Sequence, residues 1–414
     1  LESAARQDTL FLMAHIHLAW ELGGGLGHAG RLKVLAHALL ARGHEVSMSL
    51  RDVAHTHRVL ADMDVPKLQA PVWLHRTAGM PPTQASLAEI LIPSGYLEAQ
   101  PLAGQVQAWR SMFKALRVDL VVGDYAPSAL LAARSMGLPS ASVGIGFYSP
   151  PAGQPLPCLR EWEQVAPQRL ATAEAHVLKT ANAVLARLSA PLLPNVASLL
   201  LGDHPLLCTW PELDHYGRPP QSASWFGPNF LAQTGAPPEW PEGAGPKVFA
   251  YLKHEHEGHP GVLQALADEG CRVVCYQPEI ASGKAPPVVS PLIHYSTRPV
   301  SLDAAMADAD LCVSHGGEAT LVQALLAGVP VLLMPMQLEQ FLISRRVEDF
   351  GAGINGARFG AAPNWHSLLR RLLDDPSYRN SARAFAGRHG GQTQQQRTER
   401  IVDEFERVLK GGLT

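Results

Sequence analysis

The sequence predicts an α/β protein built from two doubly wound parallel-sheet domains facing across a cleft. Three observations predict it. From residue 9 to about 150, apolar strand-like runs alternate with segments whose apolar residues recur at helical spacing. A second series of the same kind opens at "KVFAYLK", Lys247 to Lys253. Between them, residues 211–246 are so dense in proline and glycine that neither helix nor sheet can run through them.

In the first series the strands are "FLMAHIHL", "HEVSMSL", "VDLVVGD" and "LPSASVGI", and the helices span 28–42, 97–116 and 127–136. Strands covered on both faces read as near-continuous apolar runs, as these do. Residues 160–200 then read as helical, and "HPLLCTW" as a short strand. Residues 71–104, rich in Pro, Met and Leu with Trp73 and Tyr96, interrupt the alternation, and an insertion of that length is a common place for substrate recognition.

The second series continues through a helix at 260–269, "CRVVCYQ", "LIHYS", a helix near 301–307, "DLCVSH", a helix at 318–327, "VPVLLMP" and a helix at 338–348. A last helical segment lies near 376–412. The expected division is a first domain over 1–218, a linker over 219–245, a second domain over 246–390 and a C-terminal helix over 391–414 that crosses back to the first domain.

A chain of 414 residues suits two or three domains. It is 46% hydrophobic and 17% charged, yet no apolar run approaches the length needed to span a bilayer, so contact with a membrane is expected only at its surface. A net charge of −3 without any block of Lys and Arg argues against a nucleic-acid partner. The five cysteines, Cys158, Cys208, Cys271, Cys275 and Cys312, lack C-x-x-C spacing and read as reduced core residues. With no basic, apolar leader at the N-terminus, a cytoplasmic protein is expected.

Two glycine motifs carry the chemistry. "GLGHAG" places Gly25, Gly27 and Gly30 in G-x-G-x-x-G spacing after a strand and before a helix, with Asp52 some twenty residues on, which fits a dinucleotide turn. His28 is the misfit, a reactive side chain inside that turn. Further on, in "DLCVSHGGEATLVQALLAGVPVLLMPMQLEQ", a buried strand ends at Ser314, His315 follows, and Gly316 and Gly317 open a helix. First-turn amides there are free to meet an anion, Thr320 adds a hydroxyl, and His315 can donate to a phosphate oxygen. The stretch reads as a diphosphate site.

This second motif resembles family 1 of the nucleotide-sugar-dependent glycosyltransferases of GT-B fold, whose members carry H-G-G-x-G-T-x-x-E-A-L-x-x-G-V-P followed by P-x-x-x-D-Q. A signature box beginning at Thr297 aligns His315 with the family histidine and Glu339–Gln340 with its closing pair. The resemblance implies that His315, Gly316, Gly317 and Thr320 hold the donor's diphosphate, that Glu339 and Gln340 hold its sugar, and that Lys253 or His254 approaches the phosphates. Thr297 stands where plant members stack a tryptophan on the base, Val300 at a base-reading glutamine, and Gln323 at a ribose-binding carboxylate. Both UDP and dTDP donors stay open.

The first half matches too, through "GLGHAGR", "LLARGHEV" and "DLVVGDYAPSALLAARSMGLP". By resemblance His28 is the general base and Asp124 its orienting partner, in a metal-independent reaction without cofactor. The first domain then binds the acceptor and the second the donor, which is a co-substrate. The residues support this directly. His28 and Asp124 each follow a strand, so both emerge at the carboxyl edge of one parallel sheet. A neutral imidazole accepts a proton near pH 7, and a carboxylate on its other nitrogen fixes the tautomer. Gly25 and Gly27 are expected to leave room for an acceptor beside His28. The implied reaction is inverting transfer of a hexose to a hydroxyl of a small, lipophilic or aromatic acceptor. A nucleotide-sugar 2-epimerase of the same fold and a non-catalytic auxiliary protein are the alternatives. "KHEHEGH" lacks zinc spacing, and the D-x-D triplets at Asp62–Asp64 and Asp308–Asp310 read as structural.

Overall fold

The computed structural model describes residues 13–231, 235–253, 256–360 and 362–411. It divides into two compact units, one comprising residues up to Gly144, Tyr148–Leu207 and those from Thr398 onward, the other Ile145–Phe147 and Cys208–Arg397.

The first unit is a six-stranded parallel sheet of β1 (His15–Trp20), β2 (Glu45–Leu50), β3 (Lys67–Gln69), β4 (Leu120–Asp124), β5 (Ser140–Gly144) and β6 (His204–Leu207), in the order β3-β2-β1-β4-β5-β6. The chain steps outward from β1 to β3 and then returns to lay β4 against the other edge of β1. The carboxyl ends of β1 and β4 therefore flank the point where strand order reverses, the usual ligand position in such sheets. Register makes this specific, because Trp20 pairs with Asp124. The helices Gly27–Ala41, Ala99–Leu116 and Pro127–Met136 cover the sheet, and Gly123 lets the last of these approach, since a Cβ there would lie 3.1 Å from Leu130.

Residues 71–104 are largely folded into this unit. Leu87, Ala88, Leu91, Tyr96 and Leu102 are buried, and the short helix Leu87–Leu91 is closed by Ser86 accepting from the Glu89 amide while the Glu89 carboxylate accepts from the Ala85 amide. Leu74 and Leu97 are the exposed large apolar residues of the segment.

The second unit repeats the plan with β7 (Lys247–Tyr251), β8 (Arg272–Tyr276), β9 (Ile293–Ser296), β10 (Leu311–Ser314), β11 (Val331–Leu333) and β12 (Gly353–Asn355), in the order β12-β11-β10-β7-β8-β9. Its reversal falls between β7 and β10. Along the carboxyl edge Leu333, Ser314, Tyr251, Tyr276 and Ser296 stand in register. One face of the sheet packs on Leu321, Leu325, Val347 and Phe385, the other on Val262, Leu266, Leu369 and Leu372.

All five cysteines are free, and all but Cys158 are buried. Among the described residues no helix is long and apolar enough to cross a membrane. The carboxylates of the D-x-D triplets are largely engaged: Asp62 pairs with Lys33, Asp308 with Lys247 and Asp310 with Arg379.

Asp52 has a structural role. It caps the helix Val53–Leu60, its carboxylate accepting from the His55 amide at 2.8 Å. With Oδ1 of Asp52 engaged in the cap and His28 on the first turn of the glycine-led helix, the structure gives the dinucleotide reading of "GLGHAG" no support. Asp52→Ala should cost about 1 kcal/mol of stability in denaturant unfolding, the usual worth of an N-cap.

Candidate active site

The loop after β1 is pinned before it turns. The Leu22 amide donates to the Tyr125 carbonyl at 2.9 Å, tying the end of β1 to the end of β4. Gly23 and Gly25 then take φ of +80° and +87°, values glycine adopts without steric cost, and the chain reverses into the helix Gly27–Ala41. This sets His28 on the first turn, 9% exposed, its ring stacked on Trp20 with centroids 5.0 Å apart.

His28 Nδ1 lies 3.0 Å from Asp124 Oδ1. Asp124 is fully buried and is held by more than the histidine. The Tyr148 hydroxyl donates to Oδ1 at 2.6 Å, and Arg31 Nη1 donates to Oδ2 at 3.0 Å, to Oδ1 at 3.2 Å and to the Tyr148 oxygen at 2.7 Å. Burial alone would raise the Asp124 pKa, but the Arg31 charge, His28 and the hydrogen bonds outweigh it and hold the carboxyl at about 2. Against an ionised Asp124, Nδ1 of a neutral His28 carries the proton and Nε2 carries the lone pair. That arrangement makes Nε2 a base.

The glycine that matters to Nε2 is Gly23. A Cβ there would lie 2.7 Å from Nε2, whereas one at Gly25 or Gly27 meets nothing within 4 Å. Gly23 thus gives the imidazole its clearance, while Gly25 shapes the turn, Gly27 begins the helix, and the space around both of these is open.

In the second unit, His315 is the first residue past β10. Gly316 has φ +81°, and Gly317 caps the helix Glu318–Leu326 in extended conformation without a side-chain cap. A Cβ on Gly317 would lie only 3.3 Å from His315 Nε2, so the glycine lets the imidazole sit against the helix start. His315 is 5% exposed, its ring 5.0 Å from that of Tyr251, and its Nδ1 has no hydrogen-bond partner among the described residues. Burial, helped by the nearby Lys253 charge, pushes its pKa down to about 4. It is a neutral donor at pH 7. Thr320 lies buried in the first helical turn. The histidine, the glycine pair and Thr320 thus gather at one helix start suited to an anion.

Other expected site residues are placed differently. Gln340 Oε1 accepts from the Met336 amide at 2.8 Å, which turns the side-chain oxygen back onto its own loop, and Glu339 lies half-buried in the first turn of the helix Leu338–Asp349. Gln323 Nε2 donates to the Ala319 carbonyl on its own helix at 3.0 Å. Val300 is packed in the core, with its backbone bridged to Ala236, so its side chain is not presented to a ligand. Thr297 is exposed just past β9, Lys253 is half-buried, and His254 lies outside the described residues.

Sequence reasoning missed Arg31, Tyr148, Trp20 and Gly23 as parts of the site. Arg31 was visible in "GHAGR", where an arginine on the buried side of a helix demands a carboxylate. Tyr148, in "GIGFYSP" beyond β5, carried no comparable signal. The network has a consequence for acid stability. Because the folded pKa of Asp124 is about 2 against an ordinary 3.8, its contribution is present above the ordinary value and lost as pH falls through the folded one. At about 1.4 kcal/mol per unit it is worth about 2–3 kcal/mol, and Asp124→Asn should lack this part of the slope when unfolding free energy is measured from about pH 5 downward.

Residues 296–401 match the family model described as the C-terminal domain of erythromycin biosynthesis protein CIII-like proteins. The chain is 29% identical over 270 residues to a PGL/p-HBAD biosynthesis rhamnosyltransferase of Mycobacterium bovis, a match covering 57% of this chain and 56% of that relative. The matched stretch thus spans little more than half the length of that relative. It is 25% identical over 403 residues to a PGL/p-HBAD biosynthesis glycosyltransferase of Mycobacterium tuberculosis, covering 87% of each. In fold it matches the solved structure of glycosyltransferase VinC in complex with dTDP, with TM-score 0.67, 17% identity and coverage of 95% of this chain and 99% of that one. The chain has the GT-B fold, and its sequence is similar to those of glycosyltransferases.

Proposed function

We propose that the protein transfers a hexose, with inversion, from a nucleoside diphosphate sugar to a hydroxyl of a small lipophilic or aromatic acceptor. The observation that carries this reading is the His28–Asp124 pair, whose geometry leaves one basic nitrogen available. His28 Nε2 takes the proton of the acceptor hydroxyl as its oxygen attacks the anomeric carbon. The bond from that carbon to the donor's phosphate oxygen breaks, and its electron pair leaves with the diphosphate. Asp124 stabilises the imidazolium that forms. The helix start at Gly317 and the neutral His315 offer donors to the charge growing on the leaving group. In this reading the first unit binds the acceptor and the second the donor, and neither a metal nor a cofactor is required.

A thymidine diphosphate donor is favoured over UDP. VinC was solved with dTDP, the first relatives are named rhamnosyltransferases, and Thr297 replaces the tryptophan that stacks on uracil in plant members. Gln340 and Glu339 remain the proposed sugar contacts, which requires the Gln340 amide to turn out of its loop when the donor binds.

The test is a panel of dTDP- and UDP-sugars, dTDP-rhamnose included, with phenolic and lipid alcohols, reading nucleotide release. Acceptor-dependent release is expected, with a fall of about 10²–10⁴ in rate for His28→Ala, the usual worth of a positioned base. Undiminished turnover in that variant would remove His28 as base. Sugar epimerised without an acceptor would point to the epimerase, and failure of every donor to bind would point to an auxiliary protein.

A further inference from the structure

We propose that Arg31 and Tyr148 are positioning residues that hold Asp124 as an anion and thereby set the pH at which His28 is free to take a proton. The inference rests on the assignment of His28 as base and adds to it a pair of groups beyond the histidine and its carboxylate.

A buried His–Asp pair on its own carries an unbalanced negative charge while the histidine is neutral, and that charge draws a proton onto the imidazole. Here the anion is already balanced. Arg31 is 5% exposed and Asp124 fully buried, and the guanidinium reaches both carboxylate oxygens, at 3.0 and 3.2 Å. Tyr148 closes the set, accepting from Arg31 at 2.7 Å and donating to Asp124 Oδ1 at 2.6 Å. Oδ1 thus receives donors from three side chains, His28, Arg31 and Tyr148, and the tyrosine ring is itself held by stacking on Tyr125 at 4.6 Å.

The groups facing His28 can be named element by element. Trp20 stacks on it from β1, Asp124 meets it from the end of β4, Arg31 shares Asp124 with it from its own helix, and Tyr148 lies 5.6 Å away, ring to ring, from beyond β5. Tyr125 lies alongside, within reach of the same Gly23 position as the imidazole. The Glu21 carboxylate, though next in sequence to Trp20, is turned to the Ser128 amide at 2.8 Å, and Arg51 donates to the Glu21 carbonyl. Arg31 is therefore the cation that balances Asp124. In this proposal it answers the Asp124 charge from within the site, and its removal would leave Asp124 pulling a proton onto the imidazole.

The experiment is an NMR titration of the His28 ring in wild type, Arg31→Gln, Arg31→Lys and Tyr148→Phe, run beside the pH dependence of kcat/KM. Arg31→Gln is expected to raise the His28 midpoint by about one unit, the effect of a neighbouring full charge. The acid limb of kcat/KM should move to higher pH by the same amount, and Arg31→Lys should restore most of it. Tyr148→Phe should raise the midpoint by less, and it decides the matter if Arg31→Gln does not fold. A midpoint unmoved in folded Arg31→Gln, or in Tyr148→Phe where the former is unfolded, overturns the proposal. Because the ring titration needs no turnover, it separates this failure from that of the base assignment, which His28→Ala kinetics test alone.

Discussion

The first unit depends on one constraint: Asp124 is a carboxylate with no contact with water, and its charge has to be answered by protein groups. Its place at the end of β4, in register with Trp20, brings three such groups within reach, two from the helix Gly27–Ala41 and one from beyond β5. Arg31 supplies the opposite charge, Tyr148 a short hydrogen bond from a neutral donor, and His28 a ring nitrogen against Oδ1. A structural carboxylate needs only the first two. Under the proposed function the third is oriented as a base, its Nε2 facing Gly23, where a Cβ would lie 2.7 Å away.

The second unit solves the complementary problem with the same topology. Its reversal point also lies between the first strand and the one laid back beside it, and there a glycine-led helix start, of a kind suited to an anion, follows His315. His315 loses its affinity for protons through burial and so offers a neutral N–H, and the glycines let backbone amides and imidazole approach together. Repetition of one architecture with opposite charge logic accords with a reaction that needs a base for one substrate and an anion-binding helix start for the other.

Much of this was legible in the sequence, for identifiable reasons. The central strands appear as apolar runs because both faces are covered, and the helix Pro127–Met136 begins at its proline and ends at Gly137, as such signals require. The edge strands β3 and β12 are three residues each, "KLQ" and "GIN", too short for any period to register. His28 and Asp124 could be paired from topology because each closes or follows a strand of one sheet. Arg31 and Tyr148 are 117 positions apart, and only the folded chain shows that they share a carboxylate. G-x-G-x-x-G spacing drew attention to Gly25 and Gly27, whereas the glycine that clears Nε2 depends on which way the His28 ring turns. Val300 was placed by alignment with a polar family position, but an apolar residue there packs inward and leaves the surface to its neighbours.

The most direct test of the central claim is the single-turnover transfer rate of Asp124→Asn, with dTDP affinity measured on the same preparation. Because asparagine keeps the shape of the carboxylate but not its charge, the rate should fall by about 10²–10⁴ while dTDP binding stays as in the unaltered protein. A transfer rate equal to that of the unaltered protein would contradict the account, since Asp124 would then be a buried structural charge and His28 would need no partner to act.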